Sequence, residues 1–295
     1  MNKITLLDGG MGQELVHRAG DKPTPLWSTQ VMIEHPGLVE QVHRDYFNAG
    51  ATIATTNTYA IHRDRLVMGG IEARFEDLNR AALAEATAAR AAHGGGRIAG
   101  SIGPLGASYR ADKHPPDEVA IPLYAERIAL MQNTVDLIVF ETVASVANAR
   151  SAMQAAADCP LPVWIAFTLD DENGALLRSG ELLADALPHV AGAAALLANC
   201  SAPEAMPAAL TVLKTSGKPF GAYANGFTRI TKDFLKDAPT VDALTARDLS
   251  PAAYADHVMA WVDQGATIVG GCCETGPAHI AEIARRLQAA GFQIT

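Results

Sequence analysis

The chain of 295 residues has few cysteines, few aromatic residues and a deficit of positive charge. Four cysteines without a secretory pattern argue against a disulfide framework and favour a reducing compartment. No apolar stretch approaches the roughly 20 residues that cross a bilayer, and the opening residues lack a signal-peptide pattern. The formal net charge of −9, with no basic cluster to offset it, disfavours nucleic acid as a partner. We therefore expect a cytoplasmic protein with no membrane partner.

Short β-like runs alternate with amphipathic helical stretches from one end of the chain to the other. Eight such units, with no linker rich in Gly, Ser or Pro between them, predict one (β/α)8 barrel domain over residues 1–295. An open Rossmann-type sheet is the rival fold, but the first strand is followed by Gly-Gly-Met-Gly, which lacks the G-x-G-x-x-G spacing. The predicted strands cover 4–7, 52–55, 97–100, 136–140, 163–167, 194–198, 220–223 and 267–269; the predicted helices cover about 38–48, 76–92, 117–132, 144–156, 181–189, 203–213, 251–262 and 277–288.

Polar and thiol side chains recur where the predicted strands end. In a barrel the carboxyl ends of all strands meet on one face, where barrel enzymes keep their active sites. Residues that are far apart in sequence thereby become neighbours. The residues predicted to meet on this face are Asp8, Asn57, Glu141, Thr168, Cys200, Asn225, Cys272 and Cys273.

Three of the four cysteines form the most informative group. Cys272 and Cys273 follow an apolar run and a glycine pair, and adjacent cysteines cannot join in an unstrained disulfide. Cys200 ends another apolar run, whereas Cys159 lies between a helix and a strand and is not expected to be a ligand. Three thiolates with one open position describe a catalytic zinc site. The alternative is a purely structural role, in which these cysteines pack in the core as small hydrophobic residues.

A series of short motifs resembles the homocysteine S-methyltransferase family, and the likeness runs from the first strand to the last helix. That family includes S-methylmethionine- and betaine-dependent enzymes and the homocysteine module of methionine synthase. The resemblance implies a (β/α)8 barrel that uses zinc to activate the thiol of homocysteine. The motifs are Asp8-Gly9-Gly10-Met11-Gly12, Thr56-Asn57-Thr58-Tyr59, Gly100-Ser101-Ile102-Gly103-Pro104, Phe140-Glu141-Thr142, Asn199-Cys200-Ser201 and Gly270-Gly271-Cys272-Cys273.

The resemblance also implies roles for individual residues. Cys200, Cys272 and Cys273 are the expected Zn²⁺ ligands, leaving the fourth position for the homocysteine sulfur, which is a good nucleophile only as a thiolate. Asp8 and Glu141 are expected to bind the ammonium group of homocysteine. The remaining predicted substrate contacts come from Gly9, Thr56, Asn57, Thr58 and Asn199.

The methyl donor of this family is an onium cation, for which an aromatic face is a fitting contact. Trp27 and Tyr59 are the candidate aromatic residues, and Asn225 is a candidate donor contact in a loop that departs from the family pattern. Betaine-dependent members tend to carry an aromatic residue where this chain has Thr142. We therefore expect a sulfonium donor, S-methylmethionine or S-adenosylmethionine, with betaine or another small onium ion as the alternative.

Several other interpretations stay open at the level of sequence. Asp8 is also suited to a turn, Glu141 to a helix start and Trp27 to simple packing. A zinc hydrolase is a rival function, although hydrolytic zinc more often has histidine and carboxylate ligands. A non-catalytic zinc- or thiol-binding subunit is a rival from another class. The sequence is compatible with a homo-oligomer but does not predict the oligomeric state.

Overall fold

The computed structural model describes residues 2–20, 24–230, 235 and 244–295. Nine parallel strands form one curled sheet, in which the second to eighth strands of the chain follow one another in order and are followed by the first and then the ninth. A parallel bridge between Leu7 and Ile53, with a 2.7 Å hydrogen bond from Thr52 N to Leu6 O, joins the two sides and closes the barrel. The predicted (β/α)8 fold is confirmed. No helix in the described part of the chain has the length and apolar character of a membrane span.

The strand bounds agree with the sequence prediction to within a few residues. β3 (Arg97–Ile102) and β4 (Leu137–Val143) extend beyond their predicted ends, so Ser101 and Glu141 lie within these strands and not after them. The two-residue strand β9 was not predicted and pairs with the beginning of β1. The strands are β1 (Lys3–Leu6), β2 (Ile53–Thr55), β3 (Arg97–Ile102), β4 (Leu137–Val143), β5 (Val163–Phe167), β6 (Ala195–Asn199), β7 (Phe220–Ala224), β8 (Ile268–Gly271) and β9 (Gln293–Ile294).

Helices fill the outer layer. The structure contains three helices that the sequence analysis missed, Met11–Ala19, Ser28–Glu34 and Arg63–Met68. It also divides the helix predicted over 181–189 into the α-helix Leu183–Ala186 and a 3₁₀ turn, Leu187–Val190. Part of the long loop predicted after β7 falls on residues outside the described ranges. The α-helices are α1 (Met11–Ala19), α2 (Ser28–Glu34), α3 (Leu38–Asn48), α4 (Arg63–Met68), α5 (Phe75–His93), α6 (Asp117–Met131), α7 (Val146–Ala155), α8 (Leu183–Ala186), α9 (Met206–Lys214), α10 (Pro251–Asp263) and α11 (Pro277–Ala289).

Two apolar layers account for the strands reading as near-continuous hydrophobic runs. The larger layer lies between the sheet and the helices, and a smaller cluster fills the barrel interior with side chains from every strand of the barrel or the residue after it. Ala99 and Val139 belong to the interior cluster. Since strand side chains alternate with a period of two, Ser101 and Glu141 point to the same interior side, one step nearer the mouth.

Candidate active site

A cavity of about 420 Å³ opens at the carboxyl ends of the barrel strands. This is the face on which the sequence analysis placed the functional residues, and the cavity walls are mostly apolar with a few polar groups. The predicted site residues that line it are Gly9, Trp27, Thr56, Asn57, Tyr59, Glu141, Cys200, Cys272 and Cys273.

The three predicted metal ligands converge in this cavity. The Sγ atoms of Cys200, Cys272 and Cys273 all lie within 4.8 Å of one another. Cys159 is not part of the group. Three sulfurs around one tetrahedral zinc ion, each about 2.3 Å from the metal, would be roughly 3.8 Å apart. The observed spacing is therefore close to what a shared ion requires.

The protonation of the three thiols is strongly coupled. Hydrogen bonds from the thiols of Cys272 and Cys273 hold the pKa of Cys200 well below its usual range. Those same hydrogen bonds to Cys200 raise the pKa of Cys272 and Cys273. Three thiolates this close together repel one another, so full ionisation calls for a cation at their centre.

Glu141 is held in place by two side chains, one from the neighbouring strand β3 and one from β7 across the barrel mouth. The Tyr223 hydroxyl donates a 2.8 Å hydrogen bond to Oε1, and the Ser101 hydroxyl donates to Oε2. Burial raises the pKa of Glu141 to about 7, although the hydrogen bond from Ser101 opposes that shift. The carboxyl group is therefore fixed in orientation, and a positively charged partner would stabilise its ionised form.

Asp8 lies just below the cavity surface, with 2% of its area exposed. The Thr55 backbone N–H donates a 2.6 Å hydrogen bond to Oδ2, and the Thr55 hydroxyl donates to Oδ1. Burial raises the pKa of Asp8 to about 7. Gly9, the next residue, has no room for a side chain, because a Cβ there would lie 2.1 Å from the carbonyl oxygen of Thr275.

The loop after β2 is supported from beneath by a buried arginine that the sequence analysis did not single out. Arg127 donates a 2.8 Å hydrogen bond to the carbonyl oxygen of Thr58 and further hydrogen bonds to the carbonyls of Ile61 and Ser101. It is 1% exposed, and burial lowers its pKa to about 9. Arg127 thus fixes the backbone that presents Thr56 and Asn57 to the cavity.

Besides Asp8, three predicted site residues are buried behind the cavity wall and do not line it. The Thr58 hydroxyl bonds to Thr56 Oγ1 and Ser101 O, both at 2.7 Å. Asn199 Oδ1 accepts a 3.0 Å hydrogen bond from the backbone N–H of Thr142. Asn225 is 2% exposed, and its backbone N–H donates to Ser201 O. These contacts support the neighbouring cavity residues, and the predicted contact of these three residues with substrate stays a prediction.

Trp27 is packed tightly into the cavity wall. Its indole N–H donates a 2.9 Å hydrogen bond to Gln13 Oε1, and Gln13 donates in turn to Glu274 at 2.5 Å. A Cβ on Gly12 would lie 2.2 Å from the Trp27 ring, so a glycine is needed for this close approach. The ring is therefore both packed and exposed to the cavity, which reconciles the two sequence interpretations.

Tyr59 meets Trp27 edge to face, with ring centroids 6.2 Å apart. The Arg65 guanidinium lies over the Tyr59 ring at 5.5 Å, and the Tyr59 hydroxyl pairs with Ser108 Oγ at 2.8 Å. Tyr109 also lines the cavity, and burial together with the negative charge of Cys200 raises its pKa well above the usual range. The sequence analysis missed Arg65 and Tyr109; the signal available was only that they lie in the segments that follow β2 and β3.

The backbone is strained around this cavity. In the described part of the chain, the non-glycine residues with positive φ are Trp27, Tyr109, Thr142, Cys200 and Glu274. Three of them line the cavity, and the other two directly follow Glu141 and Cys273. The value of 48° at Cys200 turns the chain at the end of β6, where the thiol meets its two partners. Such strain is characteristic of functional sites.

A barrel whose mouth combines three converging thiols with the carboxyl groups of Asp8 and Glu141 falls in the class of barrel proteins that could hold a thiophilic metal ion at that face. Comparison with known proteins narrows that class. The family model described as homocysteine S-methyltransferase matches residues 5–287. The chain therefore belongs to the homocysteine S-methyltransferase family and is a methyltransferase.

Relatives that carry the family's name match over nearly their whole length. A homocysteine S-methyltransferase of Escherichia coli (strain K12) is 31% identical, with 96% of this chain and 95% of the relative aligned. Homocysteine S-methyltransferase YbgG of Bacillus subtilis (strain 168) is 28% identical, with 95% and 93% aligned. The crystal structure of the metallated form of E. coli homocysteine methyltransferase MmuM has a TM-score of 0.80 at 30% identity and covers 96% of each chain.

Proposed function

We propose that this protein transfers a methyl group from a small sulfonium donor, S-methylmethionine, to the thiolate of homocysteine in a zinc-dependent reaction that forms methionine. The whole chain, residues 1–295, would act as one catalytic barrel. The observation that carries the proposal is the convergence of three thiols within 4.8 Å in the same cavity as Glu141. The thiols suit the metal and the carboxylate suits an amino acid substrate.

The donor set fits zinc better than other common metals. Thiolates select soft or borderline ions such as zinc, whereas carboxylate and carbonyl oxygens select magnesium, calcium or manganese. Three protein ligands leave one position of a tetrahedral ion available, as in catalytic zinc sites. Bound there, the ion would supply the Lewis acidity that converts a thiol ligand into a thiolate at neutral pH.

The amino acid end of homocysteine finds its partners in the buried carboxylates. Glu141 faces the cavity, with Tyr223 and Ser101 fixing its orientation, and it would accept hydrogen bonds from the substrate ammonium. Asp8 lies just behind Gly9 and adds negative charge on the same side. The loop residues Thr56 and Asn57 would contact the substrate carboxylate.

The protein's further task is to hold the sulfur, the methyl carbon and the leaving group in line. Fixing two reactants in such a geometry supplies a large share of the acceleration of a bimolecular step. Trp27, anchored through Gln13, offers an indole face toward the onium cation. One face of Tyr59 is already covered by Arg65, so Trp27 is the better candidate of the two.

The size of the cavity favours a small donor. At about 420 Å³ it lies near the lower end of the range for ligand pockets, roughly 300–1,000 Å³. Homocysteine and one further amino acid fit this volume better than homocysteine and a nucleoside-bearing donor. S-Methylmethionine is therefore preferred over S-adenosylmethionine, and betaine is the second candidate because it is equally small.

The test is methionine formation by zinc-loaded protein from homocysteine, with S-methylmethionine, S-adenosylmethionine and betaine supplied separately. We expect turnover with S-methylmethionine and at least tenfold lower kcat/KM with each of the other two. A preference for betaine or S-adenosylmethionine would overturn the donor assignment. Absence of turnover with all three would overturn the proposed function. The matched control is Cys200→Ala, which removes a ligand in the same cavity.

A further inference from the structure

We propose that Arg65 binds the carboxylate of the methyl donor, so that the site selects a zwitterion carrying both an onium centre and a carboxylate. This inference rests on the proposed function and specifies the class of donor. It starts from one cationic side chain of α4 that lines the cavity and is not used in the account of homocysteine binding.

Arg65 is held in place without being neutralised. Its Nη2 donates to Pro104 O at 3.1 Å and to Ser108 Oγ at 3.3 Å. Its guanidinium lies 5.5 Å from the centre of the Tyr59 ring. Among the described residues, no carboxylate forms a salt bridge with Arg65, and its buried Nε has no hydrogen-bond partner. By contrast, Arg63 on the same helix pairs with Glu126 at 2.6 Å.

The chemistry of the guanidinium points to a carboxylate ligand. Arginine presents five N–H donors in a planar fork that matches two carboxylate oxygens. Both hydrogen bonds of the Arg65 guanidinium use Nη2, so Nη1 keeps its two N–H donors for a ligand.

The arrangement of charge assigns that carboxylate to the donor rather than to homocysteine. The negative groups of the cavity, the thiols and Glu141, are where the homocysteine sulfur and ammonium would bind. Arg65 belongs instead to the rim, one helical turn from Met68, which also lines the cavity and is 65% exposed. A zwitterionic donor with its onium centre toward the thiolates and its carboxylate toward Arg65 is complementary to both ends.

The test is calorimetric binding to the zinc-loaded protein of two sulfonium ions that differ in the carboxylate. S-Methylmethionine carries one, and trimethylsulfonium does not. We expect Arg65→Met to weaken S-methylmethionine binding about 10- to 100-fold, the range for a lost charge-assisted hydrogen bond, and to leave trimethylsulfonium binding unchanged. Arg65→Lys keeps the charge but loses the planar fork, so its affinity for S-methylmethionine should lie between that of the wild type and that of Arg65→Met.

Arg63→Met is the matched control because it removes an arginine of the same helix that does not line the cavity. It should bind both sulfonium ions as the wild type does. The inference would be overturned if Arg65→Met weakened the binding of both sulfonium ions equally, or if Arg63→Met weakened S-methylmethionine binding as much as Arg65→Met does. A wild-type protein that does not bind S-methylmethionine would also overturn it. Arg65-dependent binding without methionine formation would instead contradict the proposed function and leave this inference standing.

Discussion

The hydroxyl of Tyr223 on β7 donates a 2.8 Å hydrogen bond to Oε1 of Glu141 on β4, three strands away across the barrel mouth. Both side chains line the cavity that contains the three thiols. The bond ties the far walls of the barrel together and fixes one oxygen of the carboxylate, while Ser101 fixes the other. The two hydrogen bonds thereby hold Glu141 in one orientation before a cation binds.

Replacing Glu141 by Gln should weaken homocysteine binding with little effect on the donor. The amide keeps the shape but not the negative charge, and a lost hydrogen bond to a charged group corresponds to about 10-fold or more in affinity. We expect the KM for homocysteine to rise by at least that factor while the donor KM changes less than threefold. Steady-state kinetics with each substrate varied in turn is the measurement. A larger rise in the donor KM would reassign Glu141 to the donor side.

Tyr223→Phe should reproduce that effect in a weaker form. It removes a neutral donor from Glu141, a loss of about 1 kcal/mol, so the KM for homocysteine should rise roughly fivefold. Tyr124→Phe is the control. The Tyr124 hydroxyl is also buried and accepts a hydrogen bond from Asn148, but Tyr124 does not line the cavity. Equal kinetics for the two variants would show that the hydrogen bond to Glu141 does not contribute to substrate binding.

Binding of the amino acid end should strengthen as pH rises through about 7. Burial raises the pKa of Asp8 and of Glu141 to about 7, so both gain negative charge between pH 6 and 8 while an ammonium ligand stays protonated. Methionine, the expected product, reports this without a titrating thiol. Calorimetry should show its Kd falling across that range, with a smaller slope in Glu141→Gln. A flat profile in the wild type would contradict the role of these carboxylates.

The same shifts predict how the stability of the ligand-free protein depends on pH. Both pKa values are raised on folding, so the native state binds more protons than the unfolded state between about pH 4 and 7. Stability therefore falls as pH rises through that window. Glu141→Gln removes one contribution and should flatten the decline in Tm between pH 5 and 8. A steeper decline in the variant would show that burial of Glu141 is not what sets the shift.

Cys272→Ala should abolish zinc binding and turnover while the barrel stays folded. Cys272 supplies one of three converging sulfurs, and its side chain packs only at the edge of the interior cluster. Zinc content by elemental analysis, activity and far-UV circular dichroism are the measurements. Cys159→Ala, outside the cluster, should retain metal and activity. A Cys272→Ala protein with undiminished zinc and turnover would contradict the site.

The barrel and the convergence of the three cysteines could be predicted because strand periodicity and cysteine position are local features of the sequence. The strand over Val163–Phe167 was predicted with the bounds that the structure has. Strand β9 could not be predicted, since two residues become a strand only by pairing with β1. The helix α4 is only six residues long and follows a loop, so it gives little periodicity to read.

The side chains that orient the site depend on tertiary contacts and escaped prediction for that reason. Nothing local in the sequence shows that Tyr223 reaches Glu141 or that Arg127 lies beneath the loop after β2. Likewise, the family motif predicted that Asn199 contacts substrate, but nothing in the motif shows that its Oδ1 accepts a hydrogen bond from the backbone N–H of Thr142. Motif position identified the region of the chain; packing determined what each side chain contacts.

The most direct test of the central claim is X-ray absorption at the zinc edge of the loaded protein, before and after homocysteine is added. The account predicts three sulfur ligands and one oxygen or nitrogen ligand at first, and four sulfur ligands with homocysteine present. Zinc with fewer than three sulfur neighbours, or no gain of sulfur on adding homocysteine, would contradict a site in which Cys200, Cys272 and Cys273 hold the metal for the substrate thiol.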